Sequence, residues 1–278
     1  ERSQDLLKEI KEPPLLLFVQ GNLQAADSMA IAMVGTRRAT RYGKLNAERF
    51  AEHFAMNNII VVSGLAYGID TYSHKATIKA GGITYAVIAS GIDKLGPAES
   101  RANADKIIET GGALISNYFC GISAIPPFFL HRNRIIAGIS KATLVVECGY
   151  KSGAMNTARN AFDEFREVFA IPGNITSEKS VGTNILIKQN KAALALSPKS
   201  ILEDLGILSI DKGEQLNISF SDENEKNIFT SLSLEPMHID EISEKTELDI
   251  SIILVKLLEL EFKGAVKQLP GKFYIQNR

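Results

Sequence analysis

The chain contains no tryptophan and only two cysteines, Cys120 and Cys148, neither in a Cys-x-x-Cys pair. That excludes a disulfide framework and leaves no cysteine-based zinc or redox site. Of the four histidines, His53, His74, His131 and His238, no two stand at i, i+4 on a helix and none adjoins a cysteine pair, so a histidine-held metal finds no support. No apolar run approaches the ~20 residues that span a bilayer. The opening Glu1-Arg2-Ser3-Gln4-Asp5 is too polar for a signal peptide. A protein without membrane contact and with a cytoplasmic location is expected, and Glu1 in the place of an initiator methionine suggests a longer parent chain. Charge of one sign is also lacking, since the formal net charge is −1. Any nucleic-acid partner must therefore be held by a local basic patch.

What the chain does have is ordinary globular composition, with 45% hydrophobic and 23% charged residues over 278 positions, enough for one large domain and a small one. From Ile31 to about Leu205, short β-branched runs alternate with helix-length amphipathic stretches, the pattern of a parallel sheet wrapped by helices. Strands are expected at Ile31 to Val34, Ile59 to Val62, Tyr85 to Ala89, Ala113 to Ser116, Thr143 to Glu147, Val168 to Ile171 and Ala193 to Ala195. Helices are expected at Lys44 to Met56, Thr71 to Ala80, Arg101 to Glu109, Arg134 to Ala137, Asn156 to Phe165, Ile185 to Gln189 and Lys199 to Leu205. The fold class is α/β: an extended Rossmann-like, doubly wound, mainly parallel sheet.

The organisation reads as an N-terminal extension over residues 1–28, a Rossmann-like domain over 29–206, a polar linker over 207–222 and a small domain over 223–278. In that last part, helices at Ile239 to Thr246 and Ser251 to Phe262 precede a hairpin of Val266 to Leu269 and Phe273 to Gln276 about Pro270-Gly271, the element order of a winged helix. From Asp211 onward there are 13 acidic and 8 basic residues, a net of −5, which leaves +4 for the first 210. The basic part is the α/β domain.

Open parallel sheets bind ligands beyond the carboxyl ends of their strands, where helix N-termini offer unpaired N–H groups to anions. This chain loads those ends. Gly35-Thr36-Arg37-Arg38-Ala39-Thr40-Arg41-Tyr42-Gly43-Lys44 combines backbone donors, hydroxyls and cations, and Ser63-Gly64-Leu65-Ala66-Tyr67-Gly68-Ile69-Asp70 lets the backbone approach a phosphate closely. Each is also explicable as a tight strand-to-helix turn, but several on one edge favour a phosphate site. Neither is a G-x-x-x-x-G-K-[ST] or a G-x-G-x-x-G motif, so neither ATP hydrolysis nor a dinucleotide is indicated and no cofactor is expected. Phe128-Phe129-Leu130-His131-Arg132-Asn133-Arg134 puts arginines beside aromatic rings, the mixture that holds single strands, although Phe128 suits the core. In Glu147-Cys148-Gly149-Tyr150-Lys151-Ser152-Gly153, Lys151 and Ser152 suit a phosphate, Glu147 suits orienting Arg132 or Arg134, and Cys148 reads as a small buried side chain.

These segments, with His74, Ile135-Ile136-Ala137-Gly138, Thr157-Ala158, Val168-Phe169-Ala170-Ile171-Pro172-Gly173 and Gly182-Thr183-Asn184, resemble the DNA-processing protein A family, also called DprA or Smf. The resemblance runs from Ile31 to about Leu205. It implies a Rossmann-like domain that binds single-stranded DNA, forms homodimers and helps load the recombinase RecA onto strands taken up in natural transformation. By motif it implies a phosphate cradle of Gly35, Thr36, Arg37 and Arg38, a neighbouring loop of Ser63, Gly64 and Gly68, Arg132 and Arg134 facing DNA, and contributions from Phe129, Lys151, Ser152 and Gly153. The chain departs from the family where Phe128-Phe129-Leu130 replaces Asn-Phe-Pro, and where Leu95-Gly96-Pro97-Ala98-Glu99 replaces a Tyr-Pro run before Glu-Asn. The tail is similar to the winged-helix domain of many members. Its Ser251 to Phe262 helix has one lysine, Lys256, against Glu259 and Glu261, so contact with a protein is expected there in place of duplex DNA.

The rival reading is a nucleotide phosphoribohydrolase of the lysine-decarboxylase-like type, with Asp70 and His74, four apart on one helix face, as acid and base. Its Pro-Gly-Gly-x-Gly-Thr-x-x-Glu run is not present. A helix cap and a supporting histidine explain the pair more simply. The expected mechanism is therefore capture of phosphates without chemistry.

Overall fold

A computed structural model describes residues 3–23, 29–96, 98–207, 220–233, 236–263 and 265–276. Contacts divide the chain into two compact units, Glu1–Ile210 and Asp211–Arg278. The first runs α1 (Ser3–Glu9), β1 (Phe18–Gly21), β2 (Ala30–Gly35), α2 (Arg41–Met56), β3 (Ile60–Ser63), α3 (Ile69–Lys79), β4 (Thr84–Val87), α4 (Ala98–Glu109), β5 (Ala113–Ser116), α5 (Pro126–Gly138), β6 (Ala142–Glu147), α6 (Gly153–Asp163), β7 (Glu167–Ala170), α7 (Val181–Lys188), β8 (Ala193–Leu194) and α8 (Pro198–Asp204). The second contains α9 (Glu223–Ser231), β9 (Met237–His238), α10 (Ile239–Thr246), α11 (Ile250–Phe262), β10 (Val266–Leu269) and β11 (Phe273–Gln276).

The sheet order is β1-β5-β4-β3-β2-β6-β7-β8, parallel except for β1. The chain winds outward from β2 in one direction as far as β5 and then restarts at β6 on the other side of β2. The switch point thus lies between β2 and β6. β3, β4 and β6 are buried along their whole length, which is why these segments read as unbroken apolar runs with no alternation. One face is covered by α1, α5, α6 and α7 through residues such as Leu7, Ile135, Ala158 and Leu186. On the other, α2, α3 and α8 contribute Phe50, Phe54, Ile69 and Ile201, and α4 adds Ile107.

Three expectations need correction. The segment ahead of Ala30 is not a separate extension: Leu7 and Ile10 of α1 and its following turn pack on α5, and β1 pairs antiparallel with β5 from Phe18↔Ser116 to Gly21↔Ala113. β1 escapes a sequence reading because Phe18-Val19-Gln20-Gly21 is mostly exposed and adds only one edge, unlike the equally short but buried β3 and β4. α5 begins eight residues before Arg134, since Pro126 and Pro127 occupy its first turn, where a missing N–H costs nothing. The winged unit gains α9 and β9, and Asp222 is the N-cap of α9, its side chain accepting from the Glu225 amide. The linker's residues 208–219 lie outside the described residues. The core of this unit is formed by Ile228, Ile242, Ile253, Leu257, Leu260 and Tyr274.

Two glycines make the sheet edge possible. Gly68 has φ +78°, and a Cβ there would lie 2.3 Å from the Thr36 carbonyl oxygen; the neighbouring Ile69 amide donates to that same oxygen at 3.2 Å. Gly35 would push a Cβ to 2.4 Å from the Ile69 side chain. The loops after β2 and β3 are therefore nested on each other. Gly81 shares a positive φ of +74° but has nothing within 4 Å of its virtual Cβ. In urea unfolding, Gly81→Ala is expected to lose about 1 kcal/mol from backbone strain alone. Gly68→Ala adds the collision and should lose about 2–3 kcal/mol. Equal losses would show that the nesting carries no energy.

Candidate functional site

The β2–α2 loop is built on a carboxylate. At a register shift between Val34 and Gly35, the Thr36 amide donates to the Glu147 carbonyl at 2.7 Å. The Glu147 side chain, 2% exposed, accepts from the Thr40 amide at 2.9 Å and the Thr40 hydroxyl at 2.6 Å. Thr40 Oγ1 in turn accepts from the Gly43 amide as the N-cap of α2. Glu147 therefore anchors this loop and orients neither Arg132 nor Arg134. The loop leaves Arg37 and Arg38 exposed, with the Arg38 amide donating to Thr36 Oγ1 at 3.2 Å.

Beneath the next loop lies a buried cation. Arg132 is 4% exposed, and its Nη1 donates to the Gly64 carbonyl at 2.6 Å and to the Val87 carbonyl. Asp70, itself 7% exposed, accepts from the amides of Gly64 and Ala66 at 3.1 and 3.3 Å. Burial pushes the Asp70 carboxyl up against the pull of Arg132, and burial lowers Arg132 to about 10 against the pull of Asp70. Both directions are those of desolvated opposite charges near one another, and Arg132 keeps its charge at neutral pH. A Cβ on Gly64 would lie 2.5 Å from Arg132 Nη1, so this glycine makes room for a guanidinium.

Over this pair opens a cleft of about 660 Å³ at the carboxyl ends of β3 and β4, lined by Arg37, Gly64, Tyr67, Lys94, Arg101 and Phe129 among others. The guanidinium carbons of Arg37 and Arg132 lie 5.3 and 5.9 Å from the centroid of the Phe129 ring. Phe128 stacks on Tyr118 with centroids 4.2 Å apart and an interplanar angle of 21°, so that of the two adjacent phenylalanines it is Phe129 that lines the cleft. The one carboxylate among the described lining residues, Asp93, accepts from the Gly121 amide at 2.8 and 3.0 Å.

The structure thus brings Arg37, Gly64 and Phe129 to the cleft, with Gly68 packed against Thr36 and Arg37 in the same pair of loops. Arg132 lies under the cleft instead of facing solvent. Arg134, two residues on and so about 200° around the helix, donates to the Glu12 carbonyl at 2.7 Å and pairs with its carboxylate at 3.0 Å. The Ser63 hydroxyl donates to the Met33 carbonyl at 2.6 Å and is buried. Lys151, Ser152 and Gly153 line a second cleft of about 720 Å³ with Tyr150 and Arg159, and Ser152 caps α6 by accepting from the Met155 amide. Cys148 is buried, its thiol pushed up to about 12 by burial. Sequence reasoning missed Tyr67, Lys94 and Arg101 as cleft residues. The signal available was position, since all three follow strands whose carboxyl ends form the same edge.

In the winged unit, Lys256 bonds to Asp222 at 2.6 Å and to Glu259 at 2.8 Å. Leu254, Val255, Leu258 and Phe262 of the same helix are exposed.

A doubly wound sheet whose basic, glycine-lined edge opens beyond the carboxyl ends of its strands, joined to a winged helix, defines an anion-binding protein of Rossmann-like architecture. The model of the DNA recombination-mediator protein A family matches residues 3–206, and that of the DprA winged helix domain matches residues 217–272. The chain belongs to this DNA-processing family. It is 34% identical to Protein Smf of Escherichia coli over 267 residues, covering 94% of this chain and 71% of the relative. The X-ray structure of DNA processing protein A from Streptococcus pneumoniae superposes with a TM-score of 0.66 at 37% identity, covering 72% of this chain and 69% of that one. The Helicobacter pylori DNA processing protein A, solved for its single-stranded DNA binding mode, gives 0.67 at 25% identity over 74% of this chain and 98% of its own. Among the described residues, no helix is long and apolar enough to cross a membrane.

Arg132→Met leaves Asp70 buried without its counter-charge and is expected to lower unfolding free energy by about 3–5 kcal/mol. Adding Asp70→Asn should cost much less than it does in the wild type. Strict additivity of the two losses in urea titrations would refute the coupling.

Proposed function

We propose that the sheet domain captures single-stranded DNA through its phosphates, without covalent chemistry. The observation that carries this reading is the Arg37–Phe129 contact at the mouth of the cleft, which sets a cation and an aromatic surface side by side where Lys94 and Arg101 add charge. Phosphates suit Thr36, Arg37 and Arg38, and an unstacked base suits Phe129. Gly35, Gly64 and Gly68 shape the two loops, while Arg132 positions them from below. Lys151, Ser152 and Gly153 stand on the second cleft, where a longer strand would continue. The membership points the same way: the Helicobacter pylori relative binds single strands. In this reading the protein acts in natural transformation, protects the incoming strand as a homodimer and hands it to RecA recombinase. The winged helix contacts protein, because its one α11 lysine is engaged by Asp222 and Glu259 while its apolar residues face outward.

The phosphoribohydrolase alternative is not favoured. His74 is wholly buried, with Nδ1 2.7 Å from Thr84 Oγ1, and burial drives its pKa down to about 3. Asp70 is engaged by two backbone amides. Neither residue lines the cleft.

Fluorescence anisotropy of labelled oligo-dT and of the same label on duplex, across a salt series, tests the proposal. Binding is expected for the single strand, with affinity falling about 0.7 log units per log unit of salt for each phosphate neutralised. Arg37→Ala should weaken all sequences alike and reduce that slope by about 0.7. Phe129→Ala should cost about 1–3 kcal/mol of binding if a base stacks there. Equal affinity for duplex, or a slope untouched by Arg37→Ala, would overturn the reading. The second unit alone, Asp211–Arg278, should give no salt-steep response to duplex; such a response would assign the winged helix to DNA.

A further inference from the structure

Away from this cleft, α3 and α4 enclose a smaller pocket of about 220 Å³ lined by His74, Lys75, Ile78, Lys79, Asn103 and Lys106. We propose that it binds a phosphomonoester, the terminal phosphate of a mononucleotide or of a DNA strand.

The charge of the pocket selects an anion. Lys75 and Lys79 are one turn apart, an arrangement that is mildly destabilising between like charges, and Lys106 joins them from α4. Lys75 has one partner, Glu99 at 3.4 Å, with both side chains about half exposed at 52%. Lys79 and Lys106 make no ion pair among the described residues. The volume selects a group and not a whole ligand, because sites for drug-sized molecules start at about 300 Å³.

The floor of the pocket selects the kind of anion. Thr84 Oγ1 donates its single proton to the Val61 carbonyl at 2.6 Å, so toward His74 it accepts, and the imidazole must carry its proton on Nδ1. Nε2 is then a bare lone pair, and it has no hydrogen-bond partner among the described residues. Asn103 lines the same pocket, 7% exposed, with a carboxamide that both donates and accepts. Nε2 is itself covered, so an occupant reaches it only on a local side-chain shift, and one that then satisfies the lysines and Nε2 together must be anionic and still bring a proton. A phosphomonoester does, since its second pKa is about 6 and a protonated fraction persists at neutral pH. A backbone phosphodiester has no P–OH and cannot. The same helix serves both sites, with Ser100 and Arg101 of α4 on the Arg37–Phe129 cleft and Asn103 and Lys106 on the small pocket. A strand held in the cleft therefore has a path for its end along α4.

The test uses the full chain and the double variant Lys79→Gln/Lys106→Gln, whose substitutions lie on helix surfaces outside the cleft. Phosphorus NMR of thymidine 5′-monophosphate should show a protein-dependent shift that the double variant abolishes. No shift, or one that the variant leaves intact, overturns the proposal. Anisotropy with oligo-dT bearing a 5′-phosphate or a 5′-hydroxyl then identifies the source. For a strand end, the phosphate should tighten binding by about fivefold, the variant should remove that gain, and the 5′-hydroxyl oligomer should bind both proteins equally. A mononucleotide response without an end preference assigns the pocket to free nucleotides. The oligomer arm rests on the capture reading, whereas the mononucleotide arm stands if that reading fails.

Discussion

The buried Arg132 guanidinium is the contact on which the rest of the sheet edge depends. From α5 it reaches the carbonyls of Gly64 and Val87, at or next to the ends of β3 and β4, and faces Asp70 on α3, whose carboxylate holds the Gly64 and Ala66 amides. Four elements thus meet around one buried cation and its neighbouring carboxylate. Taking both charges out of water costs several kcal/mol each, and only the surrounding hydrogen bonds offset it. Such a pair adds little net stability but fixes which arrangement of the loops is the low-energy one. The Phe129 ring, within cation–π reach of Arg132 from below and Arg37 from outside, inherits its position from that arrangement.

The second constraint is the nesting of the two glycine-rich loops. Gly68 against the Thr36 carbonyl and Gly35 against Ile69 leave no space for a Cβ at either place. Glu147 closes the other side of the first loop through Thr40. The glycines therefore answer first to backbone packing, and close approach to a phosphate is a consequence of the shape they permit. Gly153 differs, since a Cβ there would meet only the Asn133 amide at 3.9 Å.

Most of the fold was legible because the central strands are buried on both faces and their helices carry ordinary caps. The sheet's seven expected strands and the four elements of the winged helix appear at or within two residues of their expected bounds. What escaped was whatever lacked a local signal. β1 is held by pairing with β5, a contact distant in sequence. The early start of α5 was hidden by two prolines that read as a break and act as an N-terminal turn. Within the site, residue type identified the right segments but not the direction of each side chain. Arg132, Asn133 and Arg134 are adjacent in sequence, and the helix turns Arg132 under the cleft, Asn133 toward Gly153 and Asn156, and Arg134 toward Glu12.

That difference changes how the basic character of the domain should be counted. A net of +4 over the first 210 residues treats every cation as available to a ligand. Yet Arg132 and Arg134 hold protein groups, and Arg166 donates to the Leu6 carbonyl and pairs with Glu9. Cations on the rims include Arg37, Arg38, Lys94 and Arg101 near the first cleft, Lys79 and Lys106 beside the small pocket, and Lys151, Arg159 and Lys191 on the second cleft. In a chain of nearly zero net charge, long-range attraction is weak, and selectivity for any anion depends on where these charges stand relative to the aromatic and backbone groups between them. The structural arginines place those groups; the exposed ones stand around them.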